Sequence, residues 1–407
     1  MKETIEMQSM DQLLTPCYIV DQVKFIDNVN VIKRAFCSQW GKNPILGYSI
    51  KTNNYPELVL MARHEGMFAE VVSDDEYRLA ISLGYISPNI IFNGPQKSET
   101  LLLNALRDNA WVNLDNFEEI EIIKRNILSL PANHLRIGLR VNFDLEQCCP
   151  EETTAGKEVS RFGFCVENGD LEQAISELKA IGISISGLHM HYSSKTRSVK
   201  IFRALSERAC NLVKEYSLHE SLSYIDIGGG FFLGQTEHTA GKPDMNEYAK
   251  CICEVWQDVV DKKKVDLILE PGAALVATSV TYMTKIINAR NIRGRNVLTT
   301  DGSLLHINPF MAPRNPIVEI IRRDAKNSNT IEEQIICGAT CMENDRLLKL
   351  KDESLVMPGD RVVFQCAGAY TMVFNNCFIN LPPYVYIKSG DNYNLVRDKC
   401  DKTLELM

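Results

Sequence analysis

Residues 47–53 read Gly-Tyr-Ser-Ile-Lys-Thr-Asn and place Lys51 directly behind a short apolar run, Ile45–Ile50. The run has the length and composition of a buried β-strand. Charged side chains are seldom buried without a partner, and an exposed lysine needs no strand to position it. A lysine amine held on a rigid strand suits one chemistry, a Schiff base with a carbonyl cofactor. Taken alone, a surface lysine just past a strand is the commoner case, so the rest of the chain decides.

From residue 45 onward, apolar runs of strand length alternate with longer amphipathic segments. This alternation predicts parallel β/α winding. Eight such runs over ~230 residues predict a closed (β/α)8 TIM barrel rather than an open sheet. The predicted strands are Ile45–Ile50, Phe68–Val72, Ile90–Phe92, Trp111–Leu114, Leu135–Val141, Ile185–His191, Ser223–Ile227 and Val265–Leu269.

After about residue 278, short strand-like runs punctuated by proline and glycine replace this alternation, which predicts a separate β-domain. A short strand at 16–20 precedes a predicted helix, and we expect it to join that domain. The α/β chain is therefore divided into an N-terminal segment (1–40) that joins the β-domain, a cofactor-binding barrel (41–278) and a C-terminal β-domain (279–407).

Composition limits the classes of function. The chain has 407 residues, of which 45% are apolar and 24% charged, as in soluble globular proteins. The net charge of -8 argues against a nucleic-acid surface. No apolar run approaches the ~20 residues that span a bilayer, and the polar N-terminus carries no secretory signal. The 13 cysteines match neither a disulfide framework nor a zinc site. We expect a cytoplasmic protein without a metal, a nucleic-acid partner or a membrane partner.

Polar residues and glycines follow several of the predicted strands, where TIM barrels carry their functional groups. Strand one ends in Lys51, strand two contains Glu70, strand six leads to His191, and strand eight leads to Glu270. Strand seven is followed by three glycines, Gly228, Gly229 and Gly230. Together these residues form a constellation that is stronger evidence for a site than any one of them.

Each residue of the constellation has a chemical use and a structural alternative. The three glycines let backbone N–H groups approach a phosphate, although a flexible turn has the same composition. Glu270 suits a protonated pyridine nitrogen, although an acid before Pro271 also caps helices. His191 offers an aromatic face for a cofactor ring, although a histidine satisfied within the core is the usual case.

The stretch Tyr-x-x-Lys-x-Asn at 48–53 resembles the cofactor-lysine motif of the fold-type III pyridoxal phosphate (PLP) decarboxylases, which include diaminopimelate, ornithine and arginine decarboxylases. Residues 191–194 resemble the family's His-x-Gly-Ser, with serine in place of glycine, and residues 160–163 resemble its Ser-Lys-Phe-Gly. The resemblance covers nearly the whole chain and implies an alanine racemase/ornithine decarboxylase-like fold with PLP on Lys51. It also implies that Ser194 binds the cofactor phosphate, that Glu70 lies near the ring hydroxyl, and that Gly272 belongs to the cofactor site.

Two segments of the β-domain extend the resemblance. Residues 337–345 resemble the family's Gly-Pro-x-Cys-x-x-x-Asp, and residues 368–370 resemble its Gly-Ala-Tyr. In relatives these segments reach the active site of the other subunit of a head-to-tail dimer. The resemblance implies a homodimer with shared sites, in which Cys341 donates the Cα proton, Tyr370 binds phosphate, and Asp345 pairs with Arg161. As pure sequence, Cys341 is only one thiol among 13.

Two departures from the family pattern concern the substrate. Relatives usually read Glu-Pro-Gly-Arg, where this chain has Ala273, and Met342 follows the cysteine where an acidic or small residue is common. The substrate end of the pocket is therefore predicted to differ while the cofactor end is kept. This puts meso-diaminopimelate and ornithine in doubt as substrates.

We therefore predict a PLP-dependent α-decarboxylase with Lys51, Glu270, His191 and Cys341 as catalytic residues. Its substrate is an amino acid or an amino-acid moiety on a larger biosynthetic intermediate, as in the decarboxylase module of microcin C-type antibiotic maturation. The alternatives are a diaminopimelate- or ornithine-type decarboxylase, an amino-acid racemase, and a non-catalytic regulatory homologue. A racemase typically places arginine at the pyridine nitrogen, and a regulatory homologue is expected to lose Lys51 or the glycines. The substrate, its stereochemistry, partner enzymes and the Cα proton donor stay open at this point.

Overall fold

The computed structural model describes residues 6–7, 9–131, 135–156, 158–233, 242–312, 315–323, 330–374 and 377–399. The chain forms two compact units. One is Asn28–Ala274, and the other combines Met1–Asp27 with Leu275–Met407.

The first unit is built on a closed ring of eight parallel strands. Each strand pairs with the next along the chain, and the first pairs with the eighth, so the ring has no open edge. The predicted TIM barrel is therefore confirmed. The strands are Ile45–Ser49, Phe68–Val71, Ile90–Phe92, Trp111–Leu114, Arg136–Asn142, Gly187–His189, Tyr224–Asp226 and Asp266–Leu269.

Helices follow the strands, and capping side chains fix where several of them begin. Ser73, Ser98, Asn116 and Ser198 each accept a hydrogen bond from a backbone N–H in the first turn of the following helix. These caps end each loop a few residues after its strand. The helices are Gln22–Trp40, Pro56–His64, Asp74–Ser82, Glu99–Arg107, Phe117–Asn126, Leu145–Cys148, Asp170–Ala180, Val199–Glu215, Met245–Val255 and Gly272–Val276.

None of the helices in the described part of the chain is long and apolar enough to cross a membrane.

Inside the barrel, a tyrosine takes space that two glycines leave. The Tyr224 ring packs edge-on against Trp111, with ring centroids 5.0 Å apart. A Cβ atom at Gly187 would lie 2.2 Å from the Tyr224 ring, and one at Gly138 would lie 2.2 Å from its hydroxyl. Since real Cβ atoms do not approach so closely, only glycine fits at these two positions.

The second unit is a mostly antiparallel sheet domain, as predicted. Its N-terminal strand, Cys17–Asp21, lies between Val280–Ile292 and Tyr384–Ser389 and pairs with both, which confirms that the N-terminal strand joins this domain. The remaining strands are Glu6–Met7, Arg295–Thr300, Val318–Ile321, Thr330–Cys337, Arg346–Ser354, Arg361–Phe364 and Asn392–Arg397.

Candidate active site

Lys51 lies in a 3-10 turn, Ile50–Thr52, directly after the first barrel strand. Its Nζ forms a short ion pair with Oε2 of Glu70 on the second strand. The Lys51 side chain is 29% exposed, whereas that of Glu70 is 1% exposed. The amine is thus reachable from outside, while the carboxylate beside it is buried.

Glu270 follows the eighth strand and is 2% exposed. Its Oε1 accepts a hydrogen bond of 2.5 Å from Nδ2 of Asn93 and lies 3.6 Å from Nε2 of His189. Burial alone would raise the pKa of Glu270, but its neighbours, His189 first and then Lys51, outweigh burial and hold the pKa well below its ordinary value. Glu270 therefore stays a carboxylate.

Asp226, at the end of the seventh strand, is in the opposite protonation state. Burial, followed by the charge of Glu270, raises its pKa well above the ordinary value, so it holds a proton. Its Oδ1 accepts the Gly228 N–H at 2.9 Å. Ligand atoms of His189, Asp226 and Glu270 lie within 4.8 Å of one another, a grouping that can hold a metal ion and that the sequence did not indicate.

His191 lies beyond the sixth strand, which ends at His189 rather than at residue 191 as predicted. Its Nδ1 accepts the Gly229 N–H at 3.0 Å, so the ring proton sits on Nε2. Burial lowers the pKa of His191 to about 3, which keeps the ring neutral. A Cβ atom at Gly228 would lie 2.5 Å from Cβ of His191, so the loop needs glycine there to accommodate the histidine.

The glycine loop after the seventh strand divides its N–H groups between two uses. Those of Gly228 and Gly229 bind Asp226 and His191. The N–H groups of Gly230 and Phe231 have no hydrogen-bond partner among the described residues. Gly230 has a φ of 103°, a conformation that favours glycine. Of the three glycines predicted to bind phosphate, only Gly230 keeps an N–H group for a ligand.

The family model for the pyridoxal binding domain of pyridoxal-dependent decarboxylases matches residues 27–277. The chain belongs to this family. It is a PLP-dependent decarboxylase, a carboxy-lyase, and the predicted cofactor and family are confirmed.

Relatives along the whole chain agree with this assignment. The decarboxylase is 26% identical over 400 residues to diaminopimelate decarboxylase of Bacillus subtilis, covering 94% of this chain and 89% of the relative. It is 26% identical over 395 residues to that of Archaeoglobus fulgidus, covering 95% and 90%. The crystal structure of Helicobacter pylori diaminopimelate decarboxylase complexed with L-lysine has the same fold, with a TM-score of 0.79, 23% identity and coverage of 95% and 94%.

The residues at the barrel mouth fit PLP. An amine, an ionised buried carboxylate, a neutral aromatic ring and backbone N–H groups without a partner among the described residues are the groups that this cofactor requires. Both ring nitrogens of His189 are buried and lack a hydrogen-bond partner in the described part of the chain. Buried polar atoms are usually paired, so this mouth is built for a polar ligand.

Ser194 and Arg161 lie in loops of this decarboxylase. The Ser194 hydroxyl accepts the Arg197 N–H at 2.8 Å and lies 3.4 Å from the Glu152 carbonyl, so it holds its own loop together. Arg161 is exposed, with its guanidinium 4.2 Å from the centroid of the Phe162 ring.

Gly272 and Ala273 follow Glu270. A Cβ atom at Gly272 would lie 2.3 Å from the Thr52 hydroxyl, so glycine lets this segment approach the turn that carries Lys51. Ala273 is partly exposed and presents only a methyl group.

Three predicted site residues of the β-domain, unlike the buried carboxylates of the barrel, lie at the surface or line an open cavity. Cys341 and Met342 line an open cavity of about 1120 Å³ that several arginines border, and Cys341 is exposed. Tyr370 is 37% exposed and has a φ of 54°.

Asp345, which the resemblance pairs with Arg161 across a subunit interface, is bonded within its own domain. Its side chain is 2% exposed, and both carboxylate oxygens are already bonded within the domain. Oδ1 accepts the Leu304 N–H at 2.7 Å, and Oδ2 accepts the Thr340 hydroxyl at 2.6 Å. Asp345 therefore fixes the turn that leads to Cys341, and its pairing with Arg161 stays a prediction.

Sequence reasoning missed Asn93, Asn113 and Tyr224. Their side chains form a chain of hydrogen bonds that reaches the carboxylates of the site. Asn93 directly follows the apolar strand Ile90–Phe92, and Asn113 interrupts Trp111–Leu114. A polar residue inside or just after a short apolar strand was the available signal.

Proposed function

We propose that this decarboxylase removes the α-carboxyl group of an amino acid at the mouth of the barrel, with PLP held by Lys51. The supporting observation is the convergence of Lys51, Glu70 and Glu270 in one network, with an ionised Glu270 at its centre.

When bound, PLP supplies the electron sink that decarboxylation requires. Ionised Glu270 would keep a proton on the ring nitrogen of the cofactor, and the neutral His191 ring would pack against the cofactor. The N–H groups of Gly230 and Phe231, together with the loop of Ser194, would bind the phosphate. While the Lys51 amine is not bound to the cofactor, it forms an ion pair with the buried Glu70 carboxylate.

We also propose a homodimer with shared sites, in which Cys341 or Lys51 returns the proton to Cα and Tyr370 binds phosphate. What supports this is the exposure of Cys341 and Tyr370 in a unit separate from the barrel, together with the family resemblance of their segments.

For the substrate we propose two candidates. The first is a basic amino acid of the kind on which the relatives act, all three being named diaminopimelate decarboxylases. The second is an amino-acid moiety on a larger biosynthetic intermediate, as in microcin C-type maturation. Ala273 favours the second, since a methyl group stands where relatives carry a guanidinium for phosphate or a substrate carboxylate.

A screen for released CO2 tests this proposal. The purified protein with PLP is offered meso-diaminopimelate, L-lysine, L-ornithine, L-arginine and amino acids linked to peptides or nucleotides, with Lys51→Ala as control. We expect CO2 and the corresponding amine from at least one substrate and none with the control. Inversion of the substrate without CO2 release would contradict decarboxylation and favour a racemase.

A further inference from the structure

Asn93 connects the two functional carboxylates of the barrel mouth. It follows the third strand and is 2% exposed. Its Nδ2 donates to Oε1 of Glu70 at 3.0 Å and to Oε1 of Glu270 at 2.5 Å. One amide group, which has two hydrogens to give, thus serves two buried carboxylates.

The bonds from Asn93 use only one oxygen of each carboxylate. The other oxygen of Glu70, Oε2, contacts Nζ of Lys51. The other oxygen of Glu270, Oε2, lies 4.0 Å from Nδ1 of His191. Asn93 therefore anchors the inner oxygens and leaves the outer ones to the groups that meet the cofactor.

A chain of hydrogen bonds sets the orientation of this amide. The Tyr224 hydroxyl donates to Oδ1 of Asn113 at 2.7 Å, and Nδ2 of Asn113 donates to Oδ1 of Asn93 at 2.8 Å. Burial raises the pKa of Tyr224 well above its ordinary value, so its hydroxyl keeps the proton that it donates. The NH2 group of Asn93 must then face the two carboxylates, which can only accept.

The barrel interior is shaped around the start of this chain. Tyr224 fits only because positions 138 and 187 are glycines, as their close approach to the tyrosine requires. Asn113 also donates to Oδ2 of Asp226 at 3.3 Å, which ties the protonated acid to the same chain.

We propose that Asn93 is a positioning residue that holds Glu70 and Glu270 in a fixed relation, and this rests on the cofactor roles proposed for them above. Two carboxylates in a dry interior repel each other and need donors. Removing Asn93 takes the amide donor away from the inner oxygens of both carboxylates, which is costly for buried acceptors.

Asn93→Ala in the full-length protein tests the proposal. Loss of a hydrogen bond to a charged group commonly changes an equilibrium constant by about tenfold or more. We expect cofactor-stripped Asn93→Ala to bind PLP about tenfold more weakly or worse. We also expect kcat to fall while KM changes little. The control is Asn308→Ala, a buried asparagine of the other unit whose amide bonds the Ala312 backbone. It should keep the wild-type PLP affinity.

Asn93→Asp separates positioning from a general packing defect. An acid at this position donates only when protonated, and two neighbouring carboxylates raise its pKa. PLP affinity, relative to wild type, should recover from about pH 8 to about pH 6 in Asn93→Asp but not in Asn93→Ala. Equal pH dependence of the two variants, or wild-type PLP affinity in Asn93→Ala, overturns the proposal. Because PLP binding is measured directly, a wild-type protein that decarboxylates none of the tested substrates would contradict the proposed function and leave this result interpretable.

Discussion

The barrel mouth and the Cys341 segment were both predicted to belong to the active site, yet their surroundings differ. Glu70 and Glu270 are buried at 0% and 2% exposure, and each is bonded to Asn93. Cys341 and Tyr370 are exposed on the β-domain. One region is preorganised by a single chain, whereas the other presents groups that the described residues of its own unit leave exposed.

This difference has a physical basis. Buried charges need partners, so a site in the barrel interior must bring its own network of donors and acceptors. Exposed groups are satisfied by water and need no such network. Exposed side chains such as Cys341 and Tyr370 are held in one position only when another surface covers them. We therefore propose that a second copy of the chain completes the site.

The largest effect is expected at Lys51. Lys51→Ala should abolish the visible absorption of bound PLP and lower kcat/KM by about a thousandfold or more, since both covalent attachment and a proton-transfer group are lost. After borohydride reduction of the wild type, peptide mapping should find the cofactor on Lys51. Lys97 is a buried lysine paired with Glu119 at 3.0 Å, and it should stay unlabelled. Labelling of Lys97 instead would remove Lys51 from the mechanism.

Glu270→Gln should have the next largest effect. It retains an oxygen for the amide of Asn93 but loses the charge that holds the pyridine proton. Loss of one such contact in a dry site costs roughly 3 kcal/mol, or about a hundredfold in kcat. PLP should still bind, as absorbance shows. Asp266→Asn serves as the control, because Asp266 lies at the opposite end of the same strand and pairs with Lys42 at 2.6 Å. An unchanged kcat in Glu270→Gln would exclude the assigned role.

Mixing variants tests whether the two regions come from different subunits. Lys51→Ala and Cys341→Ala should each be nearly inactive alone, and a mixture under subunit exchange should recover about a quarter of the wild-type activity. Random pairing makes half of the dimers mixed, and each mixed dimer contains one intact site. Mass spectrometry of isotope-labelled subunits verifies exchange. Exchange without any recovery would mean that each site is built from one chain.

The smallest effect is expected for Glu76→Gln, near the barrel mouth, and concerns the free energy of unfolding. Burial raises the pKa of Glu76 from its ordinary value near 4.5 to about 7. A raised folded pKa contributes stability below about pH 4.5 that is lost as the pH rises through about 7. Glu76→Gln should therefore gain stability relative to wild type from about pH 5 to about pH 8, by on the order of 1–3 kcal/mol.

Urea unfolding at the two pH values measures this gain. The neighbouring Asp75→Asn is the control, because the Asp75 side chain is 96% exposed and should show no such trend. A difference between Glu76→Gln and wild type that does not change with pH would contradict a raised pKa.

Sequence reasoning predicted features that depend on neighbouring residues in the chain. It failed where a side chain contacts a distant segment. The eight barrel strands follow from local apolar runs. Each predicted run corresponds to one strand of the barrel. The sixth strand, however, ends at His189, because His191 turns away to accept the Gly229 N–H from another loop. The sequence also did not show that Asp345, predicted to pair across an interface, accepts hydrogen bonds from Leu304 and Thr340 within its own domain.

The sequence by itself determined the barrel, the β-domain and a lysine at a strand end, because hydrophobic periodicity and strand-end chemistry are properties of short stretches. Only the tertiary structure decided which polar side chains meet. Asn93 and Glu270 are separated by 177 positions, yet one amide hydrogen joins them. Ring closure brings strand ends together across the barrel. Its neighbours His189 and Lys51 then keep Glu270 charged, whereas burial keeps Asp226 neutral. Such protonation states follow from distances between distant residues, which no local pattern contains.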